Sequence, residues 1–118
     1  MIQESGEMYL ETILILSKRK DGVHAIDLSE EMNFSKPSVS RALSKLKKEA
    51  FITVDDEDHI RFTDKGRAVA EKIYERHQLL TKFLVSIGVD EETASADACK
   101  MEHDISDVTF EAIKKRFQ

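Results

Sequence analysis

The feature that most constrains this sequence is a change of hydrophobic period at Phe51. Before that residue, apolar side chains recur every three or four positions, which is the spacing of amphipathic helices. From Phe51 to Phe62 they alternate on both sides of the acidic tetrapeptide Asp55-Asp56-Glu57-Asp58, as in a short β-hairpin. Helical spacing resumes after Thr63. The pattern therefore predicts a mainly α-helical protein with one small β-hairpin.

Capping and turn residues set the expected helix ends. Ser35 is a good N-cap, and Pro37 follows it in the first turn of a helix, where its missing N–H has no cost. Thr63, Asp90 and Ser106 can begin the later helices, and Gly88 ends the long one. The predicted helices cover residues 4–20, 27–32, 36–50, 64–87, 91–103 and 107–117.

The first half of this order is that of a winged helix-turn-helix. A short helix, a tight turn at Asn33-Phe34-Ser35 and a second helix precede the hairpin. In such a unit the second helix enters the major groove of double-stranded DNA with its polar face outward. The sequence therefore predicts a DNA-binding unit.

The helix predicted at residues 36–50 has the composition that a DNA-reading helix needs. It carries five basic residues and no acidic one between Lys36 and Lys48. Basic side chains neutralise phosphates, and serine hydroxyls can approach base edges. A lysine-rich solvated helix is the alternative, but the turn before this helix and the hairpin after it favour DNA. The residues expected to contact DNA are Ser35, Lys36, Pro37, Ser38, Ser40, Arg41, Ser44, Lys45 and Lys48.

The charge balance qualifies this prediction. The chain has a net charge of −5, which by itself disfavours a nucleic-acid partner. The stretch from Lys36 to Lys48 carries +5, so the rest of the chain carries −10. We therefore expect weak non-specific DNA binding. The acidic hairpin tip should repel phosphate unless it faces away, so Arg61, Lys65 and Arg67 are better candidates for contacts with the DNA backbone.

A second cluster has the side chains of a metal site. Cys99, Glu102 and His103 stand at i, i+3 and i+4, so they share one face of the predicted helix. Thiolate, carboxylate and imidazole together suit a divalent transition ion. Ordinary packing of the cysteine and a surface Glu–His pair are the alternative reading.

Three further residues are candidates for the same site. Met8 and Glu11 share a face of the first helix, and His77 is a polar residue on the apolar stripe of the long helix. Each also has a purely structural explanation. Met8 could be a core residue, Glu11 a solvated surface residue and His77 a hydrogen-bonded core histidine.

Taken together, these segments resemble the diphtheria toxin repressor and manganese transport regulator family of metal-dependent repressors. The resemblance covers essentially the whole chain and implies a winged helix-turn-helix domain at residues 1–63 and a helical metal-binding and dimerisation domain at residues 64–118. It also implies a metal site that bridges the first helix and the dimerisation helices. The matching segments are Glu7-Met8-Tyr9-Leu10-Glu11-Thr12-Ile13, Pro37-Ser38-Val39-Ser40, Thr63-Asp64-Lys65-Gly66, Arg76-His77, Cys99 and Glu102-His103.

The resemblance also implies a ligand set, in which two branches of the family are mixed. The primary site of the iron branch falls on Met8, Cys99, Glu102 and His103. Its ancillary site would use His77, but its other positions fall on Thr81 and Ser95, which leaves that site incomplete. The manganese branch implies Met8, Glu11, His77, Cys99, Glu102 and His103, with sulfur at two positions where that branch has carboxylates. Softer ligands favour Fe²⁺ over Mn²⁺.

The expected function is a homodimeric, metal-responsive repressor of metal-homeostasis genes that binds a pseudo-palindromic operator and is not an enzyme. A winged-helix regulator with a non-metal effector, or with Cys99 as an oxidation sensor, is the main alternative. A Cys99–His103 hydrolase and a merely dimerising scaffold would both leave the basic helix unexplained.

We expect a cytoplasmic protein, because the sequence shows no signal peptide or membrane span. It ends near the close of the expected dimerisation domain, without the SH3-like domain of the iron branch.

Overall fold

The computed structural model describes residues 4–117, apart from the side chain of Glu4. Its architecture is mainly helical with a two-stranded antiparallel hairpin, as predicted. The elements are α1 (Glu4–Arg19), α2 (Ala25–Met32), α3 (Lys36–Lys48), β1 (Ile52–Val54), β2 (Ile60–Phe62), α4 (Asp64–Ser86), α5 (Glu91–Met101) and α6 (Asp107–Phe117). The chain divides into two compact units, Met1–Glu71 and Lys72–Gln118, and the domain boundary expected after residue 63 stays a prediction.

The first unit contains the helix-turn-helix. Asn33 takes the left-handed backbone (φ 58°) that turns the chain after α2, and the Ser35 hydroxyl then accepts a hydrogen bond from the N–H of Ser38 (3.3 Å). Glu49 ends α3 and Ala50 is left-handed (φ 65°), so α3 stops two residues before its predicted end. The core of this unit includes Tyr9, Leu10, Ile13, Leu14, Leu16, Leu28, Val39, Leu43 and Leu46.

The hairpin pairs Ile52 with Phe62 and Val54 with Ile60. Val23 adds an isolated bridge to Ile60, which connects the segment before α2 to the hairpin. The start of α4 packs so closely against the start of the hairpin that a Cβ on Gly66 would lie 1.9 Å from the carbonyl oxygen of Phe51. Only glycine fits there without a shift of the backbone.

The second unit comprises the rest of α4 with α5 and α6. Asp90 and Ser106 cap α5 and α6 as predicted, each accepting a hydrogen bond from the N–H three residues later. However, α5 ends at Met101, two residues before its predicted end, so Glu102 and His103 lie in the turn that follows. The apolar core of this unit includes Ile73, Leu79, Leu80, Ala94, Ala98 and Phe110.

Candidate DNA-reading surface and metal centre

The outer face of α3 presents the residues expected to contact DNA. Eight of the nine are exposed and Ser38 is half-buried, whereas Val39, Leu43 and Leu46 point into the core. The hydroxyl of Ser35 donates to that of Ser38 (2.9 Å), which accepts from the Arg41 guanidinium (3.4 Å). These contacts align Ser35, Ser38 and Arg41 along one edge of the helix. We call this exposed side of α3 the reading face.

The positive charge of Arg41 on this face also affects the pKa of Tyr9 on α1. Burial raises the pKa of its hydroxyl, and the positive charge of Arg41 lowers it in part. Tyr9 stays protonated at neutral pH, so the only formal charges on the reading face are those of its lysines and arginine.

The acidic hairpin tip is internally neutralised in part. Asp55 accepts hydrogen bonds from the N–H groups of Glu57 and His59 (both 2.9 Å) and pairs with Arg61 (3.2 Å). The backbone bond from His59 is the main reason that the pKa of Asp55 lies below its ordinary value. Of the other cations near the hairpin, Lys65 donates to the carbonyl of Glu49 (3.0 Å) and Arg67 lies over the Phe62 ring.

The second unit buries a carboxylate between two imidazoles. The side chain of Glu102 has no exposed surface, and its Oε2 lies 2.9 Å from Nδ1 of His77. Its Oε1 lies 3.5 Å from Nε2 of His103, whose side chain is only 1% exposed, and among the described residues Oε1 accepts no hydrogen bond. His77 and Glu102 place their ligand atoms close enough to share one ion. A buried carboxylate oxygen beside two imidazoles suits a divalent cation.

Thr81 and Ser95, which the resemblance aligns with the other ancillary-site positions of the iron branch, both contact His77. The Ser95 hydroxyl lies 3.3 Å from Nε2 of His77, and the Thr81 hydroxyl donates to the His77 carbonyl (2.7 Å). The imidazole therefore has Glu102 at one ring nitrogen and Ser95 at the other. These contacts hold the ring in a fixed orientation.

The remaining candidate ligands are placed as follows. Cys99 is half-buried in the last turn of α5. Glu11 is buried on α1 of the first unit. Met8, also on α1, is half-buried and lines a groove with Ile15, Met32 and Phe34.

Arg76 was named only as part of the matching segment Arg76-His77, and its contact with the turn after α5 was not predicted. It is 5% exposed, and its guanidinium donates to the carbonyl oxygens of Glu102 and Ile105 (both 3.0 Å). A signal for its burial was present, because Arg76 stands three residues after Ile73 and four before Leu80, both of which lie on the apolar stripe of α4.

Two family models match the chain. The iron dependent repressor N-terminal DNA binding domain matches residues 1–60, and the iron dependent repressor metal binding and dimerisation domain matches residues 63–118. No helix among the described residues is long and apolar enough to cross a membrane.

Individual relatives agree with these models. An uncharacterized HTH-type transcriptional regulator of Methanocaldococcus jannaschii is 33% identical over 96% of this chain and 92% of its own length. The iron-dependent repressor IdeR of Mycobacterium tuberculosis is 32% identical, over 88% of this chain but 46% of its own length. The regulator MntR of Geobacillus kaustophilus is 33% identical, over 86% of this chain and 72% of its own.

Solved structures show the same likeness. The manganese regulator SloR superposes with a TM-score of 0.83 at 31% identity, over 93% of this chain and 52% of its own. The metal-dependent regulator MtsR gives a TM-score of 0.87 at 26% identity, with the same coverage. The chain thus spans about half the length of these two structures and of IdeR. The chain belongs to the iron-dependent repressor family of metal-responsive DNA-binding repressors, which join a DNA-binding domain to a metal-binding and dimerisation domain.

Proposed function

We propose that this chain is a cytoplasmic, homodimeric repressor of metal-homeostasis genes, with Fe²⁺ as the favoured effector and Mn²⁺ as the other candidate. The dimer presents two copies of α3 to a pseudo-palindromic operator, about one turn of DNA apart. Residues 1–63 form the DNA-binding domain in this proposal, and residues 64–118 form the metal-binding and dimerisation domain.

The observation that carries the proposal is the fully buried carboxylate of Glu102. Burying an ionised carboxylate is costly unless a cation or several hydrogen bonds compensate it. His77 contacts one oxygen, and the other accepts no hydrogen bond among the described residues. A divalent ion would supply the missing compensation, which supports a metal-responsive role for this unit.

The proposed ligand set contains two oxygen, two nitrogen and two sulfur donors. Glu11 and Glu102 supply oxygen, His77 and His103 supply nitrogen, and Met8 and Cys99 supply sulfur. Thioether and thiolate sulfur favour Fe²⁺ over Mn²⁺, whereas carboxylates suit both ions. Because Cys99 must lose its proton to act as a ligand, metal affinity should rise with pH.

In this proposal, metal binding and operator binding are coupled through the ligand set. Metal affinity and operator affinity then depend on the same arrangement of the chain. The ion contributes a coupling free energy, typically about 1–3 kcal/mol, and by linkage DNA tightens metal binding by the same factor. On the reading face, lysines would contact phosphates while serines and Arg41 approach base edges.

The test is operator binding with and without metal. An operator is first selected from a random duplex library under anaerobic conditions with Fe²⁺, and its affinity is measured by fluorescence anisotropy. We expect Fe²⁺ to raise the affinity by about 5- to 150-fold. Equal affinity with and without metal would reject the proposal. So would a metal-free protein whose DNA binding responds to peroxide and stops responding in Cys99→Ala, because that result identifies Cys99 as a redox sensor.

Two sets of variants test the ligands. Cys99→Ala should lose the metal dependence of DNA binding while circular dichroism shows unchanged helical content. The double variant Met8→Asp, Cys99→Glu replaces both sulfur ligands with carboxylates, so its preference should move from Fe²⁺ towards Mn²⁺. An unchanged order of metal affinities in the double variant would remove Met8 and Cys99 from the ligand set.

A further inference from the structure

Arg76 makes several hydrogen bonds to the turn that carries Glu102 and His103. Its Nη1 donates to the carbonyl oxygens of Glu102 and Ile105, both at 3.0 Å. Its Nη2 donates to the carboxylate of Asp107, the first residue of α6. One guanidinium therefore holds the end of α5, the following turn and the start of α6.

This turn contains backbone groups that a helix leaves without internal partners. The last carbonyls of an α-helix need hydrogen-bond donors from outside the regular helix, usually from water, a side chain or a tightened turn. The N–H groups of Asp104 and Ile105 both donate to the Met101 carbonyl (3.1 and 3.2 Å), so the turn is already tightened. Arg76 adds bonds at two further carbonyls, those of Glu102 and Ile105.

Helix capping alone does not account for a buried arginine. The side chain is 7% exposed, its guanidinium carbon lies 5.2 Å from the centre of the Phe110 ring, and its Nε is buried without a hydrogen bond among the described residues. Water or an exposed lysine would satisfy the same carbonyls without burying a charge and without leaving that N–H unsatisfied.

The position of Arg76 in α4 points to a more specific role. The next residue is His77, whose Nδ1 lies 2.9 Å from the Glu102 carboxylate. Two consecutive residues of α4 thus hold Glu102 at both ends, with Arg76 at the main-chain carbonyl and His77 at the side chain. The direction in which Oε1 points is fixed by these two contacts.

We propose that Arg76 is a positioning residue that fixes the Glu102–His103 turn in the geometry required for binding a divalent metal. This inference rests on the proposed function, because it assumes that Glu102 and His103 are ligands. Arg76 acts through the backbone of the turn and does not itself bind the ion. Groups that orient ligands in this way typically change metal affinity by about 10- to 100-fold when they are replaced.

Lys72 provides a matched control. Its ammonium pairs with the same Asp107 carboxylate (3.1 Å) and is the main cause of the lowered pKa of Asp107, ahead of Arg76. Lys72 is exposed. Lys72→Gln therefore removes a cation from Asp107 and leaves the bonds from Arg76 to the turn intact. Arg76→Lys keeps the charge but loses the planar fork that bonds to the two carbonyls through Nη1 and to Asp107 through Nη2.

The experiment uses the full chain with Co²⁺ as the probe, and follows its visible absorption anaerobically. Arg76→Lys and Arg76→Gln should each bind Co²⁺ about 10- to 100-fold more weakly and give an altered spectrum at saturation. In the metal-free protein, hydrogen–deuterium exchange of residues 102–106 should be faster in both variants. Lys72→Gln should match the wild type in all three measurements.

The outcomes separate this inference from the proposed function. If the wild type binds no Co²⁺, the proposed function fails. If the wild type binds Co²⁺ and Arg76→Lys shows the same affinity, spectrum and exchange, only the role of Arg76 is overturned. An equal loss in Lys72→Gln would also overturn it, because the effect would then come from Asp107. If Arg76→Gln does not fold, Arg76→Lys decides the question.

Discussion

The reading face and the metal centre differ in how the chain presents charge. On α3 the charges are all positive, exposed and close together in sequence, and the helix itself holds them in place. The carboxylate of Glu102 is fully buried beside His103, and the hydrogen bonds to Glu102 come from residues 25 and 26 positions earlier in the chain. We therefore expect the first surface to tolerate the loss of any one charge and the second to depend on each contact.

This difference predicts how the two sites respond to mutation. Exposed cations act additively through a long-range field that salt screens, so each contributes modestly to DNA affinity. A buried carboxylate makes few interactions in a low-dielectric environment, and each of them is strong. Substitutions should therefore have graded effects on α3 and nearly all-or-none effects at Glu102.

The largest expected effect is that of Glu102→Gln. The amide keeps the volume but removes the buried charge, so metal affinity should fall by about a thousandfold, more than the 10- to 100-fold typical of groups that only orient a ligand. The metal-free protein should be at least as stable as the wild type, because a buried charge is gone that is compensated at only one of its two oxygens among the described residues. Isothermal titration and thermal unfolding measure the two effects.

The control for this variant is Glu111→Gln, which changes an exposed carboxylate of the same unit. It should leave both measurements unchanged. A Glu102→Gln variant that is less stable than the wild type without metal, and that binds metal as tightly, would show that the buried carboxylate is a structural element and not a metal ligand.

The same contrast explains what the sequence could predict. The hairpin, the Ser35 cap and the reading face follow from neighbouring residues, so they could be derived from spacing and turn chemistry. His77 stood out as a polar residue on an apolar stripe, but nothing local paired it with Glu102. The buried role of Arg76 also depends on a contact between distant segments. Glu102 was expected inside α5, whereas the chain leaves the helix at Met101 and presents it from a turn.

The second largest effect is expected at Gly66, which tests the scaffold of the reading face rather than its charges. A Cβ at this position would lie 1.9 Å from the backbone oxygen of Phe51, which cannot move away as a flexible side chain could. Gly66→Ala should destabilise the first unit by about 3 kcal/mol, the upper end of typical over-packing costs. Chemical denaturation of the variant measures this change.

Glu71→Ala is a suitable comparison, because Glu71 is an exposed residue on the same helix. It should change stability by less than about 0.5 kcal/mol. If Gly66→Ala were equally mild, the close approach of α4 to Phe51 would have to relax easily, and the glycine of the Thr63-Asp64-Lys65-Gly66 segment would need another explanation.

A smaller effect should separate two cations of the reading face. Arg41→Ala should weaken specific operator binding by about 1–3 kcal/mol per half-site and relax the preference at one base pair, since a guanidinium can bond to both acceptors of a guanine. Lys45→Ala should weaken binding to all sequences alike and reduce the salt slope by about one. Competition binding with base-substituted operators at several salt concentrations distinguishes them. Identical profiles would mean that Arg41 contacts only phosphate.

The smallest effect concerns Asp55 at the hairpin tip, where an exposed charge is held by local hydrogen bonds. Its pKa is lower in the folded chain, mainly because of the N–H of His59. A carboxyl with a lowered folded pKa stabilises the fold above its ordinary pKa, and this contribution is lost as the pH falls through the folded value. The amide resonance of His59 should therefore titrate below the ordinary aspartate value of about 3.9. Asp55→Asn should abolish this titration of the His59 amide resonance, whereas the control variant Asp56→Asn should preserve it. A midpoint at or above about 3.9 in the wild type would show that the hydrogen bonds at the tip do not stabilise the ionised Asp55 carboxylate.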